Sequence, residues 1–354
     1  MDLNEILTQA VEQDVSDVFI VAGRPVSFRK KGIISQLDDT RLLPDDTESL
    51  LEQLYAQAGD RDLSPLHHNG DDDFSFAIPG LSRFRVSAYK QRGTLSAVIR
   101  IISFRLPDSH ELGIPDYVIG LADSSKGMVL VTGPAGSGKS TTLACMIDHI
   151  NKTRRKHIIT LEDPLEFLHR HDNSIVSQRE INVDTENYVT ALRAALRQSP
   201  DVILLGEMRD YETMNVAMTA AETGHLLLST LHTIGAANTI DRIIDVFPAN
   251  QQRQIAVQLS MVLNAVISQQ LVPTVDGKMI PALEIMTVTP AIRNMIRDNK
   301  VHQIDGLIYS SMKEDMISMD QSLLNLFRQG KISRETALTY ATNPEMLGKK
   351  LPPA

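Results

Sequence analysis

Apolar residues recur along this chain in three successive rhythms. In the first hundred residues, Leu3, Ile6, Leu7 and Ala10 keep helical spacing, and Leu50, Leu51 and Leu54 mark a second helix within 47–58. Between them VFIVAG (Val18 to Gly23) reads as a strand that closes on a turn. From Phe74 onward FSFAI, FRVSAY and AVIRII alternate apolar with polar positions, divided by Pro79-Gly80 and Arg92-Gly93. This rhythm predicts an α+β module on an antiparallel sheet. Two prolines and Gly113 around Pro107 to Pro115 then mark a connector.

The second rhythm is one of short, almost unbroken apolar runs: MVLVT (128–132), HIITL (157–161), DVILL (201–205) and HLLLST (225–230). Strands buried on both sides read this way, and their alternation with helices predicts a parallel sheet covered on both faces. The third rhythm is helical. Ile240, Ile243, Ile244 and Phe247 stop at Pro248, and Ile255, Leu259, Val262, Leu263 and Val266 line the next predicted helix. Thr289-Pro290 suits the cap and first position of a helix using Ile292, Met295 and Ile296. A helix with Leu323 and Phe327 ends at Gly330, and Ser333 caps the final one. The last hundred residues are therefore expected to be wholly helical. The expected domains are 1–106, a linker at 107–116, and 117–354.

Composition narrows the class. The 354 residues, 42% hydrophobic and 22% charged, suit about two ordinary globular domains. No apolar run approaches the roughly 20 residues that span a bilayer, and the acidic amphipathic start does not resemble a secretory signal. The single Cys145 excludes an intramolecular disulfide and a cysteine-based zinc site. These features predict a cytoplasmic protein with no direct membrane insertion. A net charge of −9 and the absence of tryptophan argue against a nucleic-acid partner.

The chemistry begins after the first apolar run. Gly133, Pro134, Ala135, Gly136, Ser137, Gly138, Lys139 and Ser140 (GPAGSGKS) match the phosphate-binding loop in full, and a helix is expected from near Thr141. Its glycines let backbone N–H groups converge on phosphate oxygens at a helix N-terminus. Lys139 would reach the β- and γ-phosphates and the Ser140 hydroxyl would ligate magnesium, so the expected ligands are ATP and Mg2+.

Three further strand ends are polar. LEDPLEF places Glu162, Asp163 and Glu166 just beyond a strand, where a carboxylate could activate water or simply keep a turn solvated. DVILLGEMRD ends an apolar strand in Glu207, an arrangement that holds magnesium, although Asp is more usual there; Arg209 and Asp210 could form a surface ion pair. STLHT brings His232 to the next strand end, where it could sense phosphate or serve as a hydrogen-bonded structural residue; His225 reads as structural. Arg83, Arg85, Arg92 and Arg100 crowd the strands of the first module, either as a solvated basic face or as arginines presented to a neighbour's nucleotide.

Together these segments resemble the PilT family of type IV pilus retraction ATPases, within the secretion ATPase superfamily. The likeness runs through SDVFIVAGRPVSFRKKG, the arginine-rich strands, GPAGSGKSTT, ITLEDPLEF, GEMRD and GHLLLSTLHT. AIRNMIRDNK with VHQI (291–304) and MDQSLLNLFRQGKISRETA (319–337) are similar to the retraction branch. Ala135 departs from a common threonine, at a position where mainly the backbone meets phosphate.

The resemblance implies an α/β fold: a RecA-like ATPase core, a smaller PAS-like N-terminal domain and a helical C-terminal region. It implies Glu166 as general base, Glu207 as the metal-binding carboxylate and His232 facing the γ-phosphate. Arg85 and Arg100 become the foremost arginine-finger candidates. It further implies a homo-hexamer that hydrolyses Mg-ATP to retract pili, docked peripherally on an inner-membrane pilus platform protein. The competing readings are a type II or IV secretion or pilus-assembly ATPase, a weakly hydrolysing accessory protein, and a DNA motor.

Overall fold

The computed structural model describes residues 2–30, 32–102, 104, 106–311 and 315–352. Met1, Lys31, Ser103, Arg105, Met312, Lys313, Glu314, Pro353 and Ala354, which fall within the expected domains, lie outside the described residues. The chain divides into two units, Met1–Arg105 with Glu166–Leu168, and Leu106–Leu165 with His169–Ala354.

In the first unit alternation decides everything. Strands β1 (Asp17–Ile20), β2 (Ser27–Lys30), β3 (Ile33–Gln36), β4 (Asp71–Ile78), β5 (Ser82–Gln91) and β6 (Thr94–Ile102) pair antiparallel in the order β3-β2-β1-β6-β5-β4. Phe84, Val86 and Ala88 on β5 and Ala97 and Ile99 on β6 share one buried face. They join a core with Leu3, Ile6 and Leu7 of the helix Leu3–Glu12 and Leu50, Leu51 and Leu54 of the helix Pro44–Gln57. The period of two sends Arg83, Arg85 and Arg100 to the opposite face. Arg92 and Gly93, both at positive φ, make the tight turn between β5 and β6. The antiparallel α+β module expected from the sequence is what forms.

The second unit holds a seven-stranded sheet. Its strands are β7 (Gly127–Thr132), β8 (His157–Glu162), β9 (Ile175–Glu180), β10 (Val202–Leu205), β11 (Leu226–Leu231), β12 (Leu263–Pro273) and β13 (Met279–Thr287). They are ordered β13-β12-β7-β11-β10-β8-β9, all parallel except the β12–β13 pair. Strands β7, β8, β10 and β11 each feed two cores. Leu130, Leu161, Leu205 and Leu227 point to one, shared with the helices Tyr211–Glu222, Ala236–Asp245 and Ala249–Val262. Val129, Ile158, Leu204 and Leu228 point to the other, shared with the helix Lys139–Thr153. That double burial explains the unbroken apolar runs.

Beyond β13, helices Met319–Arg328, Arg334–Thr339 and Pro344–Lys350 bury Leu323, Leu326, Ala337 and Leu347 against Val272 and Ala282 of the hairpin. Thr289 caps the helix Pro290–Arg297, its side chain accepting from the Ile292 N–H. Among the described residues no helix is long and apolar enough to cross a membrane.

Two expectations need correction. The last hundred residues are not wholly helical: the helix Ala249–Val262 stops one residue before β12, and Leu263 and Val266 are strand residues. An apolar strand buried on both sides satisfies i, i+3, i+4 spacing by default, so periodicity could not tell the two apart. Ser333 does cap a helix, but Pro344–Lys350 follows it, so that helix is not the final one. Strands β2 (SFRK), β3 (IISQ) and β9 (IVSQRE) carry too many polar residues to announce themselves by an apolar run, and β3 is fully exposed.

Candidate functional site

Because β7, β8, β10 and β11 run parallel, their polar ends meet along one edge of the sheet. Register fixes the neighbours: Thr132 pairs with Leu231, and Leu205 with both Ser229 and Leu161. The Gly133 N–H donates to the Leu231 carbonyl, and the Gly206 N–H to that of Leu161. Ser229 and Thr230 donate their hydroxyls back to the carbonyls of Leu205 and Gly206, at 2.7 and 2.6 Å. Thus the glycine-rich loop, Glu162, Glu207 and His232 occupy adjacent positions on one rim, where ligands of open α/β sheets bind.

The loop leaves β7 at Gly133 and enters the helix at Lys139. Gly133, Gly136 and Gly138 have φ of 140°, 75° and 86°, a region that side chains with a Cβ rarely adopt. Pro134, Ala135 and Gly136 are exposed, whereas Ser137 and Lys139 are buried and Ser140 and Thr141 half-buried. Lys139 Nζ donates to the carbonyls of Gly133 and Pro134 at 3.0 and 2.8 Å. Among the described residues the buried hydroxyl of Ser137 has no hydrogen-bond partner, nor has that of Thr132. Unsatisfied buried hydroxyls beside a glycine cradle suit an incoming phosphate, which brings acceptor oxygens.

Glu207 follows β10, with 14% of its side chain exposed. Its Oε2 lies 2.7 Å from Arg209 Nε and 3.4 Å from His232 Nε2. Gly206 lets the chain pass close to β8, since a Cβ there would lie 3.2 Å from the Leu161 carbonyl oxygen, and it would also lie 2.9 Å from the Tyr188 hydroxyl. Burial pushes the Tyr188 phenol up, and the carboxylates of Glu207, Asp163 and Glu162 push it further. Such a negative field favours a divalent cation at these strand ends.

Glu162 accepts from Thr160 Oγ1 at 2.7 Å. The Arg209-Asp210 ion pair does not form: Arg209 grips Glu207, and Asp210 caps the helix Tyr211–Glu222 through the Thr213 N–H. His225 precedes β11 and bonds the Ala220 carbonyl, a structural position as expected.

Glu166, Arg85 and Arg100 belong to the first unit. Glu166 is exposed, Arg85 half-buried and Arg100 exposed. Arg85 and Arg100 are direct cross-strand partners. Arg100 Nε lies 3.1 Å from Oδ1 of the buried Asp17, which also holds Arg29 at 3.6 Å.

Two contributors escaped the sequence reading. Tyr188 carried no motif. Gln269, on β12, is 2% exposed; its Nε2 donates to the Ser137 carbonyl at 2.7 Å and its Oε1 accepts from Thr142 Oγ1 at 2.8 Å. It sits where a helix was expected, 132 residues from the loop it touches, and no local signal could have found it.

Comparison with known proteins places this geometry. Residues 1–288 match the family described as type II/IV secretion system protein. The type IV pilus retraction ATPase PilT of Pseudomonas aeruginosa is 44% identical over 98% of this chain and 99% of its own. A twitching motility protein of Neisseria gonorrhoeae is 49% identical over 79% of this chain and 75% of its own. A crystal structure of the pilus retraction motor PilT with bound ADP superposes with a TM-score of 0.89 at 44% identity, covering 99% of both chains. The Legionella pneumophila ATPase DotB follows the same fold, with a TM-score of 0.79 at 27% identity over 94% of this chain and 93% of that one.

Proposed function

The chain belongs to the type II/IV secretion system protein family, and within it to the PilT branch, and from that premise we propose that it is an ATPase that powers type IV pilus retraction. One observation carries the reading most directly. The full phosphate loop opens onto the sheet edge that also bears Glu162, Glu207 and His232.

In this reading the loop from Gly133 to Thr141 binds the ATP phosphates, with Lys139 leaving the Gly133 and Pro134 carbonyls for the β- and γ-oxygens. Ser140 and Glu207 would hold Mg2+, which when bound offsets negative charge on the phosphate oxygens. Glu166 serves as general base, orienting and deprotonating the attacking water. His232, tied to Glu207, faces the γ-phosphate and changes its contacts when that group leaves. Arg85 and Arg100 complete the site of a neighbouring subunit by offsetting charge in the transition state.

The protein works as a homo-hexamer, its N-terminal domain spanning 1–106 and its ATPase domain 117–354, joined by a linker at 107–116. It docks from the cytoplasmic side on a membrane platform protein and disassembles pilin. The test is deletion of the gene, complemented with wild type or with Lys139→Ala, scored for pilus number and surface motility. Abundant non-retracting pili in the null and in the Lys139→Ala strain are the expected result. Loss of pili would replace retraction with assembly.

A further inference from the structure

We propose that Gln269 of β12 is a positioning residue for nucleotide binding, holding the phosphate loop from behind. The proposal rests on reading that loop as the ATP site.

The contact is two-handed. The side-chain amide donates to the Ser137 carbonyl inside the loop and accepts from Thr142 in the first turn of the following helix. The glycines at the two ends of the motif also answer to this residue. A Cβ at Gly133 would overlap the Gln269 carbonyl oxygen, and one at Gly138 would lie 2.8 Å from Gln269 Nε2. Backbone and side chain of one sheet residue therefore shape both ends of the loop.

The consequence follows from peptide geometry. In a trans peptide the carbonyl and the next N–H point to opposite sides. With the Ser137 carbonyl drawn toward β12, the Gly138 N–H points away from the sheet, the side from which phosphate must approach. The second consequence concerns the bound state. Lys139 holds the Gly133 and Pro134 carbonyls in this structure, and those bonds must open when its ammonium turns to phosphate. The Gln269 contact has no such conflict, because a carbonyl oxygen, as at Ser137, cannot donate to phosphate, and Thr142 lies beyond the loop. It keeps the loop in shape after Lys139 has changed partners, lowering the ordering cost of binding.

The test compares Gln269→Met, which keeps length and apolar volume but deletes both hydrogen bonds, with wild type and Lys139→Ala in the full-length protein. Three quantities are read: the ADP dissociation constant, the melting temperature without nucleotide, and the split of ATPase activity between KM and kcat. Positioning predicts an ADP Kd and an ATP KM raised by about tenfold or more in a folded variant, with kcat changed less. A merely structural role would lower the nucleotide-free melting temperature and leave Kd within twofold, which overturns the proposal. Should Gln269→Met not fold, Thr142→Val removes one hand of the contact; a Kd raised about threefold supports the proposal and an unchanged one rejects it. If Lys139→Ala binds ADP like wild type, the loop reading itself fails, separately from Gln269.

Discussion

His232 Nε2, at the end of β11, lies 3.4 Å from Glu207 Oε2, at the end of the adjacent β10. Arg209 Nε holds the same oxygen at 2.7 Å. A single carboxylate oxygen is thus shared between an imidazole and a guanidinium, and any cation arriving at the rim competes for it. Glu207→Gln keeps the shape and removes the charge. ATPase turnover should fall by about 100-fold or more while ADP affinity stays within a few-fold, as measured by steady-state kinetics beside calorimetric titration. Equal losses in both would make Glu207 a binding residue instead.

Lys139→Ala removes the only loop cation that can turn to the phosphates. At ADP one hundred times above its Kd, the wild-type protein should gain about 2.7 kcal/mol of stability, read as an upward shift in melting temperature. In the variant the shift should vanish. A retained shift would move the nucleotide elsewhere.

Glu166→Gln should bind ATP normally and hydrolyse it about 100-fold more slowly, since a positioned base contributes on that order. Single-turnover assays separate the two effects. Unchanged turnover would pass the role to Glu162, which already accepts from Thr160 on β8.

Arg85 and Arg100 face each other across β5 and β6, and two like charges in that register repel unless something intervenes. Asp17, beside Arg100 on the neighbouring strand β1, offsets the charge of Arg100 from its other side. If these arginines act on a neighbour's nucleotide, Arg100→Ala and Lys139→Ala subunits, each inactive alone, should recover activity when mixed. Absence of recovery at every mixing ratio would argue that each site is complete within one chain.

His169 supplies a pH test of stability. Burial pushes its imidazole down to about 4 from an ordinary 6.5. The unfolded chain therefore binds the proton first, and folding stability is full above about 6.5 and declines as pH falls from there toward 4. The full span corresponds to about 3 kcal/mol. Denaturant titrations at pH 7 and pH 4.5 should show His169→Gln losing less stability between them than wild type does.

Much of this protein was determined by local order in the sequence. Alternation along FRVSAY and AVIRII placed Val86 and Ile99 inside and the arginines on the other face, because a strand's geometry permits nothing else. The loop Gly133–Ser140 announced itself because its chemistry lies in the backbone of consecutive residues. Caps at Thr289 and Ser333 are equally local.

What only tertiary structure decided is everything that depends on a neighbour distant in sequence. Leu263 to Pro273 became a strand rather than a longer helix because a place beside β7 was available, which periodicity cannot register. That choice carried Gln269 to the loop. Parallel register in the second unit brought Glu162, Glu207 and His232 to one rim, and antiparallel register in the first set Asp17 beside Arg100. Sequence fixes which chemistry a residue can offer, whereas a contact needs two chain segments, and packing alone selects the second.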